Sequence, residues 1–511
     1  MPGKVTFIGA GSGDPRLLTL RAADVLDEAD FVLFDATVHP DILGRLREGT
    51  PRHPVTPQLG PERIGQMLAF EAKEGRHAVR LTYGDPVFFG TADVEAAAVS
   101  RHGVPLEIVP GIGPVTAAGA FAGVPLTRTS DASPSVAVVS VTRGHEGLHD
   151  WEKLATATDT LAIVCDAESV AETARSLVFH GRKANEQVTV IENVSLPTQQ
   201  INESTLGQLP LLPPPKGQRV VVVVGQRAAP MSELSWLEKL PLFGKRVLVT
   251  RAREQAGRTA ALLRERGADP LVVPTIEIDP PSDAGPMTDA VGALGGYGWI
   301  VLTSANGVER LWTEIRRQNK DARAFGAAKI AAIGPGTAAA LERYGLAADL
   351  VPKVHKGEGL AAELLAAIGE GAQARPKVLI ARAEVARDVV PDALRAAGCE
   401  VDVVPVYKTH APPRPLLDAL AALLEAQEID VVTFTSSSTV EHLCDALESR
   451  AAALLRNTCV ASIGPITTET ARKRGLRVDV TASEHTIPGL VSAIEGYFEL
   501  ATTGTRAVAR I

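Results

Sequence analysis

In the front half of the chain, short apolar runs rich in β-branched residues alternate with longer stretches whose apolar positions recur every three or four residues. Val5–Ile8 is one such run, and it leads through a glycine-rich turn into Leu17, Leu18, Ala22, Val25 and Leu26 at helical spacing. Phe31–Phe34, Ala78–Leu81 and Leu106–Val109 predict further strands, the last feeding a helix through Ala117 to Phe121. Thr160–Asp166, Gln187–Glu192 and Arg219–Gly225 read as strands too, and the proline-rich Leu209–Gly217 cannot continue a helix. This alternation predicts an α/β fold.

At Pro230 to Arg253 one α/β unit ends and another begins, which is the organisation of a fusion. Beyond this seam the pattern repeats itself. VLVTRA from Val247 returns as VLIARA from Val378, Val272-Val273-Pro274 as Val403-Val404-Pro405, Thr303-Ser304 as Thr435-Ser436 and Ile333-Gly334-Pro335 as Ile463-Gly464-Pro465. Matching order at a nearly constant offset of about 130 residues implies two similar α/β lobes. With 511 residues the chain exceeds one hydrophobic core, and each half is expected to be bilobed.

Composition changes this picture little. Hydrophobic content of 45% and charged content of 22% are those of a globular protein. A net charge of −8 argues against a nucleic-acid partner, and no membrane association is expected. The amino terminus enters a strand directly, without a signal-peptide pattern, so a cytoplasmic location is expected. Cys165, Cys399, Cys444 and Cys459 are far apart and read as small core residues. His145 and His149 stand at helical spacing, but Gly147 lies between them and no third ligand is near, so no metal site is expected.

Candidate chemistry sits where strands end. Gly9–Gly13, Gly84-Asp85-Pro86 and Gly111–Pro114 each follow a strand, and three such rims on one sheet suggest a cleft. Asp35 ends its strand, either capping a helix or facing a ligand. These segments, VTFIGAGSGDPRLLTL, the GDP turn and VPGIGPVTAAGAFAGVPLT, resemble the tetrapyrrole methylases, and most of all uroporphyrinogen-III C-methyltransferase, from residue 4 to about 240. The resemblance implies two lobes (about 1–112 and 113–239) with S-adenosylmethionine between them. Carried over by position, Gly11, Ser12, Gly13, Tyr83, Gly84, Asp85, Phe88, Gly113, Pro114 and Cys165 are cofactor-binding, and Asp35 is the catalytic base. It also implies a homodimer through this half. The chain departs from the family at Thr82-Tyr83 for Lys-Gly and at Cys165-Asp166 for Met-Gly, and residues 36–72 contain no lysine, with Arg52-His53 as the nearest basic pair.

In the back half, the turns Thr303-Ser304-Ala305-Asn306, Gly334-Pro335-Gly336-Thr337, Thr435-Ser436-Ser437 and Gly464-Pro465-Ile466-Thr467 all precede helical patterns. They are good caps, and their exposed N–H groups can also bind carboxylates. Arg251 and Arg382 hold equivalent places and can grip carboxylates bidentately. Six segments in order, among them VLTSANGV, VVPVYKT and VTFTSSSTV, resemble uroporphyrinogen-III synthase over residues 244 to about 497. The resemblance implies one lobe from about 244–274 plus 409–511 and another from about 278–404, within a unit of 240–511. It also implies that hydroxymethylbilane is closed to uroporphyrinogen III with inversion of the last ring. Tyr407 is then either the group assisting departure of the hydroxyl or a structural residue, and the hydroxyl-bearing turns hold the acidic arms.

Three functions follow as alternatives. The first is a bifunctional enzyme that makes uroporphyrinogen III and methylates it toward precorrin-2, on the way to sirohaem or cobalamin. The second is a synthase with a degenerate cofactor-binding module. The third is a carboxylate-binding protein without turnover.

Overall fold

The computed structural model describes residues 3–508 apart from 48, 57, 128–134, 143–145, 218, 226–227, 252, 276, 370–374 and 411. The chain forms two compact units, one of Met1–Val247, Ala261–Pro270 and Ile494–Ile511, the other of Leu248–Ala260 and Leu271–Ala493.

The first unit holds two five-stranded sheets. Strands β1 (Lys4–Gly9), β2 (Phe31–Asp35), β3 (Arg52–Val55), β4 (His77–Thr82) and β5 (Leu106–Val109) form a parallel sheet in the order β3-β2-β4-β1-β5. Strands β6 (Val136–Val141), β7 (Thr160–Asp166), β8 (Gln187–Glu192), β9 (Gln200–Thr205) and β10 (Arg219–Val224) form a mixed sheet in the order β6-β7-β10-β8-β9. β6 and β7 run parallel, and β10 runs antiparallel to both of its neighbours. The five valines of β10 are all buried because both faces of this central strand are covered. Val220, Val222 and Val224 enter one core with Leu161 and Ile163, while Val221 and Val223 enter the other with Ala162 and Val164.

The back half supplies β11 (Arg246–Val249), β12 (Asp269–Val272), β13 (Glu277–Asp279), β14 (Trp299–Leu302), β15 (Lys329–Ala332), β16 (Lys377–Ala383), β17 (Glu400–His410), β18 (Val431–Phe434), β19 (Cys459–Ser462) and β20 (Val480–Thr481). One sheet has the order β12-β11-β18-β19-β20 and the other β13-β17-β16-β14-β15. The tandem copies of the sequence therefore do not fold as separate sheets. Each sheet joins the opening strand pair of one copy to the closing pair of the other, and the same hydrogen bond recurs in both: Ile333 N–H to the Leu302 carbonyl and Ile463 N–H to the Phe434 carbonyl. β17 is long enough to pair with β16 in parallel and with the short β13 antiparallel. All four cysteines are free and buried. Among the described residues no helix is long and apolar enough to cross a membrane.

Candidate functional site

At the carboxyl ends of β1, β4 and β5, three glycine turns close on one another. Gly11 and Gly84 exchange two backbone hydrogen bonds of 3.2 and 2.9 Å, and both adopt positive φ, +82° and +70°. Gly9 and Gly111 pack behind them so closely that a Cβ on Gly111 would stand 2.1 Å from the Gly84 carbonyl oxygen. Asp85 locks this arrangement. Its Oδ1 accepts from the N–H groups of Val87 (2.9 Å) and Phe88 (2.8 Å), and its Oδ2 from that of Gly111 (3.0 Å).

These turns border a cavity of about 330 Å³, within the usual range for a small-molecule site. Tyr83, Gly84, Asp85, Phe88, Gly113 and Pro114 all line it. The helix Pro114–Phe121 opens onto it with Gly113 as a cap that has no side-chain acceptor to offer. Burial raises the Tyr83 phenol above its ordinary range, with Arg219 acting in the opposite direction.

Other expected cofactor residues lie elsewhere. Gly11 serves the turn. Ser12 is buried with its Oγ 2.9 Å from that of Ser195, and the Cβ position of Gly13 is 2.9 Å from the Leu196 side chain, so both face the loop after β8 rather than the cavity. Cys165 is fully buried on the opposite face of β7, where burial pushes its thiol up to about 12, while the cavity is lined by its neighbour Val164. The two-residue period of a strand decides this difference.

Asp35, at the end of β2, is not among the cavity-lining residues. Its Oδ1 accepts from Arg80 Nη2 at 2.6 Å and its Oδ2 from the Tyr83 N–H at 2.9 Å. Arg80 is itself buried and also reaches the wholly buried Glu95 at 3.0 Å, which accepts from the Thr91 hydroxyl. This network fixes Asp35 beside the first residue of the cavity wall.

In the second unit, the hydroxyl-bearing turns behave first as helix caps. Ser304 Oγ accepts from the Gly307 N–H (3.0 Å) at the start of Ala305–Arg317, with Thr303 and Asn306 half-buried beside it. Ser436 forms a capping box with Thr439 ahead of Ser437–Leu447, next to half-buried Thr435, and Ser437 Oγ accepts from Thr470. Gly334 and Gly464 cap Pro335–Glu342 and Pro465–Lys473 without side-chain acceptors. Thr337 and Thr467 are buried in the first turns of these helices. Arg382 is engaged by Asp388 at 2.6 Å and the Arg387 carbonyl. Its counterpart Arg251 is half-buried, and burial followed by nearby Arg343 lowers its pKa, opposed by Glu309. Tyr407 lies within β17, buried, with its hydroxyl 2.9 Å from that of Ser304. Burial raises its pKa, and the Ser304 hydrogen bond partly offsets that.

Comparison with known proteins agrees with both halves. The model of the tetrapyrrole (corrin/porphyrin) methylases matches residues 4–210, and that of uroporphyrinogen-III synthase HemD matches residues 257–492. Porphyrin biosynthesis protein HemD of Ruminiclostridium josui is 30% identical over 504 residues, 96% of this chain and 97% of that one. The chain belongs to both families. It carries a uroporphyrinogen-III synthase domain and a tetrapyrrole methylase domain. Siroheme synthase 1 of Yersinia enterocolitica is 35% identical over 47% of this chain, which spans 52% of that relative. A crystal structure of uroporphyrin-III C-methyltransferase from Thermus thermophilus with S-adenosylhomocysteine is 30% identical over 44% of this chain and 98% of its own, with a TM-score of 0.37.

Two features of the methylase and synthase halves escaped the sequence. Arg219, opening β10, lines the methylase cavity, and no local motif marks it because it is brought there by antiparallel pairing with Asp166. In the synthase half, His355 and His485 each pack on the glycine of a Gly-Pro turn, Gly334 and Gly464. Their 130-residue separation, with Gly-Leu following each at 359–360 and 489–490, was a readable signal of the same repeat. Among the described residues no three His, Cys, Asp or Glu side chains converge on a metal site, and His145 lies outside the described residues.

Proposed function

We propose that this chain converts hydroxymethylbilane to uroporphyrinogen III and then methylates that product toward precorrin-2. The observation that carries the reading is a single relative similar along both halves, over 96% of the chain. We assign methylation to residues 1–239 and ring closure to 240–511, with the lobes at the boundaries given above. A homodimer through the methylase half and a cytoplasmic location belong to the same proposal.

The methylase cavity fits a compact cofactor with an adenosine and an amino-acid arm. Three backbone rims allow close approach where side chains would intrude, and Phe88, Phe89 and Val164 supply apolar walls. S-adenosylmethionine, when bound, supplies an electrophilic methyl group. Tyr83, Gly84, Asp85, Phe88, Gly113 and Pro114 would hold it, positioning it and excluding water. Asp35 is the base for the proton released from the pyrrole carbon, with Arg80 and the Tyr83 N–H fixing its direction.

In the synthase half, Tyr407 donates toward the departing hydroxyl. A phenol is protonated at neutral pH and can donate there, and the Ser304 hydroxyl 2.9 Å away sets its orientation. Thr303, Asn306, Thr435, Ser436, Ser437 and the N–H groups following Gly334 and Gly464 hold the acidic arms at helix starts, with Arg251. Thr337 and Thr467, in the first turns of the same helices, and Arg382, paired with Asp388, complete the proposed set.

Incubating the full chain with hydroxymethylbilane, with and without S-adenosylmethionine, tests the whole reading. Methylated product is expected with the cofactor and type III macrocycle without it. Type III macrocycle under both conditions would leave a synthase with an inactive front module, and type I macrocycle alone would leave neither activity.

A further inference from the structure

The methylase cavity has a cationic lining residue that its assigned residues do not include. Arg219 lines it, opening the central strand β10 at the edge where β7 ends. Its guanidinium is poorly satisfied. Among the described residues Nε is buried without a hydrogen-bond partner, the nearest Asp166 oxygen is 3.7 Å away, and Nη2 reaches Ser140 Oγ at 3.5 Å. A guanidinium has five donors in a fixed fork, so most of this one's capacity is unspent. The first turn of Pro114–Phe121 borders the same cavity. Its cap, Gly113, offers no side-chain acceptor, and Val115 and Thr116, whose N–H groups belong to that turn, line the cavity. The acidic side chain in the wall, Asp85, has both oxygens committed to backbone N–H groups.

We propose that Arg219, together with this open first turn, receives a carboxylate in the methylase cavity. The inference rests on the methyltransferase reading above and adds to it a recognition residue. Two sources share the chemistry: the α-carboxylate of the cofactor's amino-acid arm and an acetate or propionate arm of the macrocycle. Arg219 meets either through charge-assisted N–H···O bonds, bidentate if the fork is fully used. Asp166, its cross-strand neighbour, stands 3.7 Å from Nε, close enough to attract the guanidinium but beyond hydrogen-bond reach.

The test uses the full chain and calorimetric titration with S-adenosylhomocysteine and with 5′-methylthioadenosine, which keeps the nucleoside but lacks the amino-acid arm. With Arg219→Met, S-adenosylhomocysteine affinity is expected to fall roughly tenfold to a hundredfold while methylthioadenosine affinity stays unchanged. Arg219→Lys should recover part of the loss. If the carboxylate is the macrocycle's, both affinities hold and KM for uroporphyrinogen III rises by a similar factor with kcat unchanged. Asp166→Asn separates recognition from bracing: it should leave S-adenosylhomocysteine affinity at or above that of the unaltered protein, whereas a guanidinium serving merely to brace Asp166 predicts the same loss as Arg219→Met. Affinities and KM within twofold of the unaltered protein in Arg219→Met overturn the proposal. If the unaltered protein does not bind S-adenosylhomocysteine, the methyltransferase reading falls and this inference with it.

Discussion

The hydroxyls of Ser304 and Tyr407 lie 2.9 Å apart although 103 residues separate them, one capping a helix after β14 and the other projecting from β17. This relationship separates two roles by mutation. Tyr407→Phe removes one hydroxyl from a buried position and leaves the Ser304 cap intact, so stability should change by less than about 1 kcal/mol. Formation of type III macrocycle should fall roughly tenfold to a hundredfold. Ser304→Ala should cost about 1 kcal/mol through the lost cap. Equal stability losses with undiminished turnover in Tyr407→Phe would assign that tyrosine to the fold alone.

Asp35 faces a donor with each oxygen, Arg80 Nη2 on one side and the Tyr83 N–H on the other. In Asp35→Asn one of these donors must meet an amide NH2, so a loss of about 1–3 kcal/mol is expected in denaturant unfolding. Methyl transfer should drop by roughly a hundredfold. Because Asp35 does not line the cavity, S-adenosylhomocysteine affinity should remain within a few-fold. Normal methylation by this variant would remove Asp35 from the mechanism.

Gly111 has no room for a side chain, since a Cβ would stand 2.1 Å from the Gly84 carbonyl oxygen and 2.7 Å from Gly9 Cα. Gly111→Ala should therefore push the two cavity rims apart and cost about 1–3 kcal/mol. Cofactor affinity should fall with it while synthase turnover stays unchanged. Unaltered binding of S-adenosylhomocysteine would argue that the packed glycines do not shape the site.

Glu314 accepts hydrogen bonds from Arg317, Gln318 and Thr288, and these, led by Arg317, hold its carboxyl at about 2. A depressed folded-state pKa stabilises the fold fully above the unfolded value of about 4.3, and that contribution is lost as pH falls through about 2. Arg317 is largely exposed, so screening limits the contribution to about 1–2 kcal/mol. The stability difference between the protein and Glu314→Gln should narrow as urea unfolding is repeated from about pH 6 to about pH 3. A difference independent of pH would contradict this.

Much was legible in one dimension. Apolar runs placed β5, β7 and β8 at their observed bounds and the other expected strands within a residue or so. Glycines before Asp85 and at Gly113 located the cavity rims because close backbone approach has few chemical solutions. Strands β3, β6 and β9 were not expected; β3 is mostly exposed and β9 has no buried residue, which deprives both of the apolar signal that marks buried strands. Ser12 and Gly13 sit beside the correct turn yet face Ser195 and Leu196, a direction set by packing rather than spacing.

The repeat shows where sequence stops. Residues alone determined that the back half contains two related copies, each opening with a strand and an arginine at its first turn and later presenting Thr-Ser and Gly-Pro turns. Which halves share a sheet was decided by tertiary structure: β11 and β12 pair with β18 and β19, while β16 and β17 pair with β14 and β15. Because the copies are alike, local preference fits either partner, and burial of each sheet's faces against the helices of one lobe must select between them. Likewise, sequence supplied Arg219 and Asp166 as two unremarked charges 53 residues apart, and antiparallel register between β10 and β7 brought them to one cavity edge.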